Sequence, residues 1–342
     1  MRMAFKPLLV SLAVLAVWAP AAGAFELAVQ DDRLAYSANA ADRRLLISQA
    51  QQLRASTVRL NLDWGAWPAQ QRVVDQAVTE LRRARLRVQL TLTGWAADSK
   101  RSPRVFGRWV AQVALRYRLR VARWSIWNEP NHPAFLSQRR PGLRYRRFYE
   151  AGWRALQRID PVHPVLFGET SASGKGAATN PLQWLREVTC SDGRWRAKRR
   201  CKPLRADGYA HHPYAFLTPP GQPTERTIGI ADLDRLRVPL RRLAARGALV
   251  NRRGGPLPLY LTEFGYFRQG VRGLKERTRA AWTARTLALL ARQRQVRQLL
   301  WYQLSPPAQR GPRVWDTSLL DADRSPTLTW QVLKRWGRRA AR

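Results

Sequence analysis

Two glutamates stand where a chain could put paired carboxyl groups to use. Glu129 lies in Trp127-Asn128-Glu129-Pro130-Asn131 and Glu263 in Leu261-Thr262-Glu263-Phe264-Gly265, 134 positions further on. Each follows a strongly apolar run, and with Glu169 they place three of the nine glutamates at the ends of strand-like segments. One carboxyl group that holds its proton beside one that stays ionised can protonate a leaving atom while the other attacks. Two ionised glutamates held close repel, and a partly dry site leaves one of them protonated near neutral pH; Glu129 is assigned that part. Glu263 is expected to stay ionised through donors such as Arg59 and Tyr214. His212 shares the parity of Tyr214, which points its ring to the same place. His211 and His212 do not form a metal pair, because adjacent strand residues face opposite ways. This chemistry requires no metal and no cofactor.

Elements that could position these groups are legible along the chain. Strand-like runs fall at 26–30, 57–63, 87–93, 121–127, 164–168, 207–212, 257–263 and 298–303, with amphipathic helical patterns between them. Ser102-Pro103 and Ser325-Pro326 each supply an N-cap and a first-turn proline for a following helix. Tyr145, Phe148, Tyr149, Gly152, Trp153, Leu156 and Ile159 mark one helical face, with arginines on the other. Eight strand-helix units after residue 24 predict an α/β fold of the (β/α)8 TIM-barrel type, as a single domain over 25–342. A doubly wound open sheet is the alternative, but no glycine-rich phosphate turn follows the first strand. In a closed barrel the fourth and seventh strands face each other, so Glu129 and Glu263 at their carboxyl ends converge at the mouth. Leu259, Leu261 and Glu263 share one face, which continues an inward stripe to that mouth.

The ordered set of motifs resembles the retaining glycoside hydrolases of clan A, especially the cellulase-like and xylosidase-like members. The resemblance is carried by the Asn128-Glu129-Pro130 segment, Leu261 to Gly265, His212-x-Tyr214 and Trp301, and it spans nearly the whole chain after residue 24. It implies that Glu129 is the acid/base and Glu263 the nucleophile of a double displacement at a glycosidic bond, that Asn128 binds the sugar 2-hydroxyl, and that Arg59 supports the nucleophile. The third strand departs from many cellulase-like members, ending Leu92-Thr93-Gly94-Trp95 without a histidine. The residues support the same chemistry: retaining enzymes need two carboxyl groups about 5 Å apart. Trp64, Trp67, Trp95, Trp127, Phe264, Tyr266 and Trp301 fall at or near the expected mouth, where flat rings can stack on sugar faces. Trp301 is expected as the floor, with Trp64 and Trp67 as weaker candidates and Glu169 either as a further polar ligand or as a cap on the following segment.

Composition sets the remaining bounds. The 342 residues are 45% hydrophobic, with 15 tryptophans, which excludes a disordered chain, a bare coiled coil and a disulfide-stapled miniprotein. Sixty-one basic residues against 23 acidic ones give a net charge of +38, and only seven of the 61 are lysine. The arginine bias is spread over helix surfaces, so nonspecific attraction to acidic polymers or a cell wall is expected, without a specific nucleic-acid partner. Arg2 and Lys6 precede an apolar stretch from Leu8 to Trp18, then Pro20 and Ala22-Gly23-Ala24. That pattern reads as a signal peptide over 1–24, cleaved after Ala24, rather than an uncleaved anchor, and places the protein outside the cytoplasm. In an exported protein, Cys190 and Cys201 read as one disulfide closing a short loop. A monomer acting on a carbohydrate is the resulting expectation. Two other readings stay open at this point: a barrel that binds polysaccharide without cleaving it, and a basic surface protein that binds polyanions.

Overall fold

The computed structural model describes residues 25–137, 139–173, 178–198, 201–225, 227–309 and 314–340, so the signal-peptide segment lies outside the described residues. Eight parallel strands close into a barrel: β1 (Glu26–Gln30), β2 (Thr57–Asp63), β3 (Arg87–Thr93), β4 (Arg123–Ile126), β5 (Val165–Ser171), β6 (Gly208–His212), β7 (Leu259–Phe264) and β8 (Val296–Tyr302). Each pairs with the next and β8 pairs with β1, which is the eight-unit (β/α)8 order expected from the sequence. Around it run α1 (Arg33–Tyr36), α2 (Ala40–Gln52), α3 (Gln71–Arg83), α4 (Pro103–Tyr117), α5 (Pro141–Ile159), α6 (Pro181–Val188), α7 (Asp234–Ala245), α8 (Glu276–Ala291) and α9 (Leu328–Ala340). Two short strands, Leu204–Arg205 and Leu249–Val250, pair outside the barrel.

Local chemistry explains the helix starts. Ser102 accepts from the Arg104 N–H at 3.2 Å with Pro103 in the first turn of α4, and Asn180 and Pro181 do the same for α6 at 2.9 Å. The last helix begins later than Ser325-Pro326 suggests, because Pro326 is held in a bridge to Leu320. Thr327 is the residue that accepts from the Trp330 N–H, at 3.2 Å. The aromatic face of α5 packs inward as its spacing requires. At Gly152 a β-carbon would lie 3.0 Å from the tip of the Ile126 side chain, so glycine there eases the close approach of α5 to β4.

The ends of β4 and β5 differ from the sequence reading in a way that bears on the site. β4 stops at Ile126, and Trp127 and Glu129 take left-handed backbone conformations at φ 69° and 38°. β5 runs on to Ser171 through an irregularity at Gly168–Thr170, with Gly168 at φ 111° and Glu169 at φ 51°. Left-handed non-glycine residues cost about 1–3 kcal/mol each and persist where the surroundings hold them. Here Glu129 N–H donates to the Glu169 carbonyl at 2.9 Å, locking the two strained ends together. After β5, Cys190 and Cys201 are joined by a disulfide, with their α-carbons 6.2 Å apart. Among the described residues, no helix is long and apolar enough to cross a membrane.

Candidate active site

Arg59 is the centre of the mouth. It sits on β2 beside Gln30 of β1, whose other neighbour in register is Tyr302 of β8. All five of its N–H donors are engaged: Nε to Thr91 Oγ1 at 2.8 Å, Nη1 to Gln30 Oε1 and to Glu263 Oε1 at 2.6 Å each, and Nη2 to Asn128 Oδ1 at 2.9 Å and Glu169 Oε2 at 3.1 Å. A fully buried guanidinium is tolerable because every donor is used and two carboxylates oppose its charge.

Glu169 was expected at the cleft as a ligand, and the structure corrects this. The irregularity in β5 turns its side chain into the barrel, where it is fully buried. Its carboxylate accepts from Ser125 Oγ at 2.5 Å, Thr262 Oγ1 at 2.6 Å and Arg59, and pairs with His212 Nε2 at 2.8 Å. Burial opposes ionisation, but the Arg59 charge and the His212 and Ser125 hydrogen bonds hold the carboxyl down at about 2. Glu169 is an internal counter-ion.

His212 joins that counter-ion to the mouth. Its Nδ1 lies 3.0 Å from Glu129 Oε1 and 3.6 Å from Glu263 Oε2. Burial disfavours the imidazolium, yet the charge of Glu263 and the hydrogen bonds to Glu129 and Glu169 carry its pKa up to about 10. Next to it, His211 faces away; burial pushes it down to about 4, and it bonds to Thr170 Oγ1 and the Ile228 carbonyl, each at 2.8 Å. The strand alternation expected for this pair therefore separates a cation inside the barrel from a neutral ring outside it.

Glu129 and Glu263 lie close together at the mouth. One carboxylate oxygen of each and one ring nitrogen of His212 all lie within 4.8 Å of one another. These three could hold a metal by position; both His212 nitrogens face carboxylates, Nδ1 towards Glu129 and Nε2 towards Glu169. Burial raises the Glu263 carboxyl above its ordinary value against the pull of His212 and Arg59, with the nearby Glu129 pushing the same way as burial, so the shift runs against the sequence expectation that Arg59 and Tyr214 make Glu263 the readily ionised member of the pair. Tyr214 donates to Glu263 Oε2 at 3.3 Å; burial and the Glu263 charge keep its hydroxyl well above its ordinary pKa, so it remains a donor. Asn131, buried, fastens the loop that carries Glu129 by accepting from Ser171 N at 2.8 Å and donating to the Thr179 carbonyl at 2.9 Å.

The mouth opens into two cavities that share Glu129, His132 and Trp315. The smaller, about 420 Å³, is lined by Asn128, Glu263, Asn61, Asp32, Tyr302 and Trp95 among others. The larger, about 750 Å³, extends past Tyr214 to Phe216 and Arg272. Trp95 is half exposed, stacked on Phe135 at 5.0 Å and pinned by its Nε1 donating to Asp63 at 2.7 Å.

Most aromatics that the sequence places at the mouth are elsewhere. Trp301 is fully buried on the face of β8 opposite Tyr302, where its Nε1 donates to the Thr317 carbonyl at 2.8 Å. Trp64 is buried between Phe106 and Trp109 with the Arg101 guanidinium over its ring at 3.9 Å. Trp127, Phe264 and Tyr266 also pack into the core, and Trp67 lies partly buried against it. Tyr302, Asp32 and Trp315 line the smaller cavity instead; the sequence offers Tyr302 only as one of the residues ending the last strand, and gives no sign of Asp32 or Trp315. For Tyr302 a signal existed: it shares parity with the buried Gln298, so β8 presents Tyr302, not Trp301, to the barrel axis.

No protein-family model matches the chain, and no curated protein matches it. Solved structures do. A glucosidase from Croceicoccus marinus aligns at 13% identity over 86% of this chain and 62% of that one, with a TM-score of 0.64. A GH39 β-xylosidase from Caulobacter crescentus aligns at 15% identity over 91% and 70%, with a TM-score of 0.59. A GH5-4 broad-specificity endoglucanase from Clostridium longisporum aligns at 12% identity over 93% and 97%, with a TM-score of 0.58. At such identities the likeness is one of fold, and this chain folds as the (β/α)8 barrel found in these glycosidase structures.

Proposed function

We propose that the protein is a retaining O-glycoside hydrolase acting on an oligo- or polysaccharide. The observation that carries this reading is the meeting of Glu129 and Glu263, with carboxylate oxygens within 4.8 Å at the junction of two open cavities. Such a separation suits direct attack by a carboxylate, whereas an inverting pair stands roughly 6.5–9.5 Å apart to admit water. In the first step a Glu263 oxygen bonds to the anomeric carbon as the glycosidic C–O bond breaks, and Glu129 gives its proton to the departing oxygen. In the second, Glu129 takes a proton from water, the water oxygen bonds to the anomeric carbon, and Glu263 is released. The two cations, Arg59 and His212, face three carboxyl groups, so one of the three can carry a proton without leaving the cluster positively charged. Glu263 has Arg59 and Tyr214 as donors and Glu129 has His212, which suits Glu263 to attack and Glu129 to exchange protons. When Glu129 loses its proton, the His212 cation, itself held by Glu169, stabilises the charge that appears. Asn128, oriented by Arg59, lines the smaller cavity beside Glu263, where a sugar hydroxyl would bind.

Export of the protein is part of the same proposal. The basic, apolar and small-residue pattern of 1–24 supports it, as does the pairing of Cys190 with Cys201. The test is hydrolysis of a panel of aryl glycosides and of glucans, mannans, xylans and uronic-acid polymers, with Glu263→Gln as control. The expected result is turnover that falls at least about a thousandfold in the variant, as for loss of an obligatory nucleophile. Absence of hydrolysis across the panel, or equal rates in the variant, contradicts the reading.

A further inference from the structure

The two loops that frame the outer end of the smaller cavity also have another side. The β3–α4 and β4–α5 loops are tied by Ala96 N–H to the Ala134 carbonyl at 3.0 Å, Ser137 N–H to Ser99 Oγ at 3.2 Å and Arg144 Nη1 to the Ser99 carbonyl at 2.8 Å. On the cleft side of this tie stand Trp95 and Phe135. Beyond it lies a separate cavity of about 690 Å³ whose walls carry six basic side chains: Lys100, Arg101, Arg139, Arg140, Arg144 and Arg147. Arg144 and Arg147 lie three apart on one face of the first turns of α5, and Arg140 immediately precedes the helix in a left-handed conformation at φ 52°, so three like charges repel at one helix start. The tied loop brings Lys100 and Arg101 to the same space.

Little offsets this charge. Among the described residues, the one ion pair that any of the six makes is Arg101 with Asp98, at 3.4 Å. Five of the six are exposed and Arg144 is half-buried. Trp64, which does not reach the cleft, instead carries the Arg101 guanidinium on its face at 3.9 Å and so fixes one wall of this cavity. A bound polymer with regularly spaced anions would relieve the repulsion, and guanidinium forks match carboxylate and sulfate oxygens.

We propose that this cavity is an accessory site for an anionic polysaccharide, whose carboxylate or sulfate groups the six cations hold while the chain passes over Trp95 and Phe135 toward Glu129 and Glu263. That the anions belong to a carbohydrate rests on the glycosidase reading; the anion site does not.

The test is isothermal titration of the Glu263→Gln protein with a heparin-derived hexasaccharide and a hexameric oligogalacturonate, against cellohexaose. The expected result is that at least one acidic hexamer binds about tenfold more tightly than the neutral one. Combining Arg139→Gln, Arg140→Gln and Arg147→Gln should weaken that binding about tenfold and reduce its salt slope by about three. Arg241→Gln, Arg242→Gln and Arg246→Gln, exposed at the far end of α7, remove the same charge and should leave it unchanged. Equal loss in both triple variants would reduce the effect to net charge, and tighter binding of short duplex DNA than of either hexamer would reassign the site; both overturn the proposal, as does no preference for the acidic sugars. If the wild-type protein hydrolyses an aryl glycoside while no acidic hexamer binds, the accessory site alone fails. If acidic binding depends on the three arginines while no glycoside is hydrolysed, the glycosidase reading alone fails.

Discussion

The barrel mouth and the cavity behind the β3–α4 and β4–α5 loops are both crowded with charge, and they handle it in opposite ways. At the mouth Arg59, His212, Glu169 and Glu263 are buried and each is matched, Arg59 with all five donors and Glu169 with four partners. In the outer cavity five of the six cations are exposed, and one paired carboxylate stands among the described residues. Burial makes an unmatched charge costly, so the interior admits charges only as a closed network. Water screens the outer group, which can therefore stay unmatched and available to a ligand. The first arrangement fixes geometry for chemistry; the second suits reversible binding.

The same residue type should then behave differently in the two places. Arg59→Ala leaves Glu169 and Glu263 without their shared cation and is expected to lower stability by about 3–5 kcal/mol. Arg139→Ala, at the solvent-facing cavity, should change it by no more than about 0.5 kcal/mol. Urea unfolding of the two variants measures this directly, and similar values would dissolve the distinction.

Titration gives a further handle on the mouth. His212 carries a pKa near 10 in the fold against an ordinary value of 6.5, so the stability it contributes is complete below about pH 6.5 and is lost as pH rises through about 10. Glu263, raised by burial, acts with the same sign. Glu169, held at about 2 against an ordinary 4.5, contributes stability above 4.5 that is lost only as pH falls towards 2. Thermal unfolding should therefore show Tm falling by several degrees between pH 7 and pH 10, with a flatter alkaline limb in His212→Gln. An unchanged alkaline limb in that variant would remove His212 from the network. Among the variants at the mouth, Tyr214→Phe should have the mildest effect, about a tenfold loss of kcat with stability retained, since one long hydrogen bond to Glu263 disappears.

The barrel and its two glutamates were legible because period-2 apolar runs and the order of the motifs both encode them. The strand limits of β1, β2 and β3 agree with the sequence to the residue. What the alternation rule could not show is an irregularity: Glu169 follows an apolar run like the other two, yet the extra residue in β5 turns it inward to hold Arg59 and His212. Aromatic residues misled for another reason. Trp64 and Trp301 lie near strand ends in sequence, but a large apolar ring has equal reason to pack under a helix, and parity is what separates Trp301 from Tyr302. The six cations of the outer cavity are scattered between 100 and 147, and only the tie between two loops gathers them.

Direct attack by Glu263, as proposed, would fix the configuration of the product. Proton NMR of the freshly released sugar, recorded before mutarotation, should show the same anomer as the substrate. A product of opposite configuration would contradict the assignment of Glu263 as nucleophile and of Glu129 as its acid/base partner.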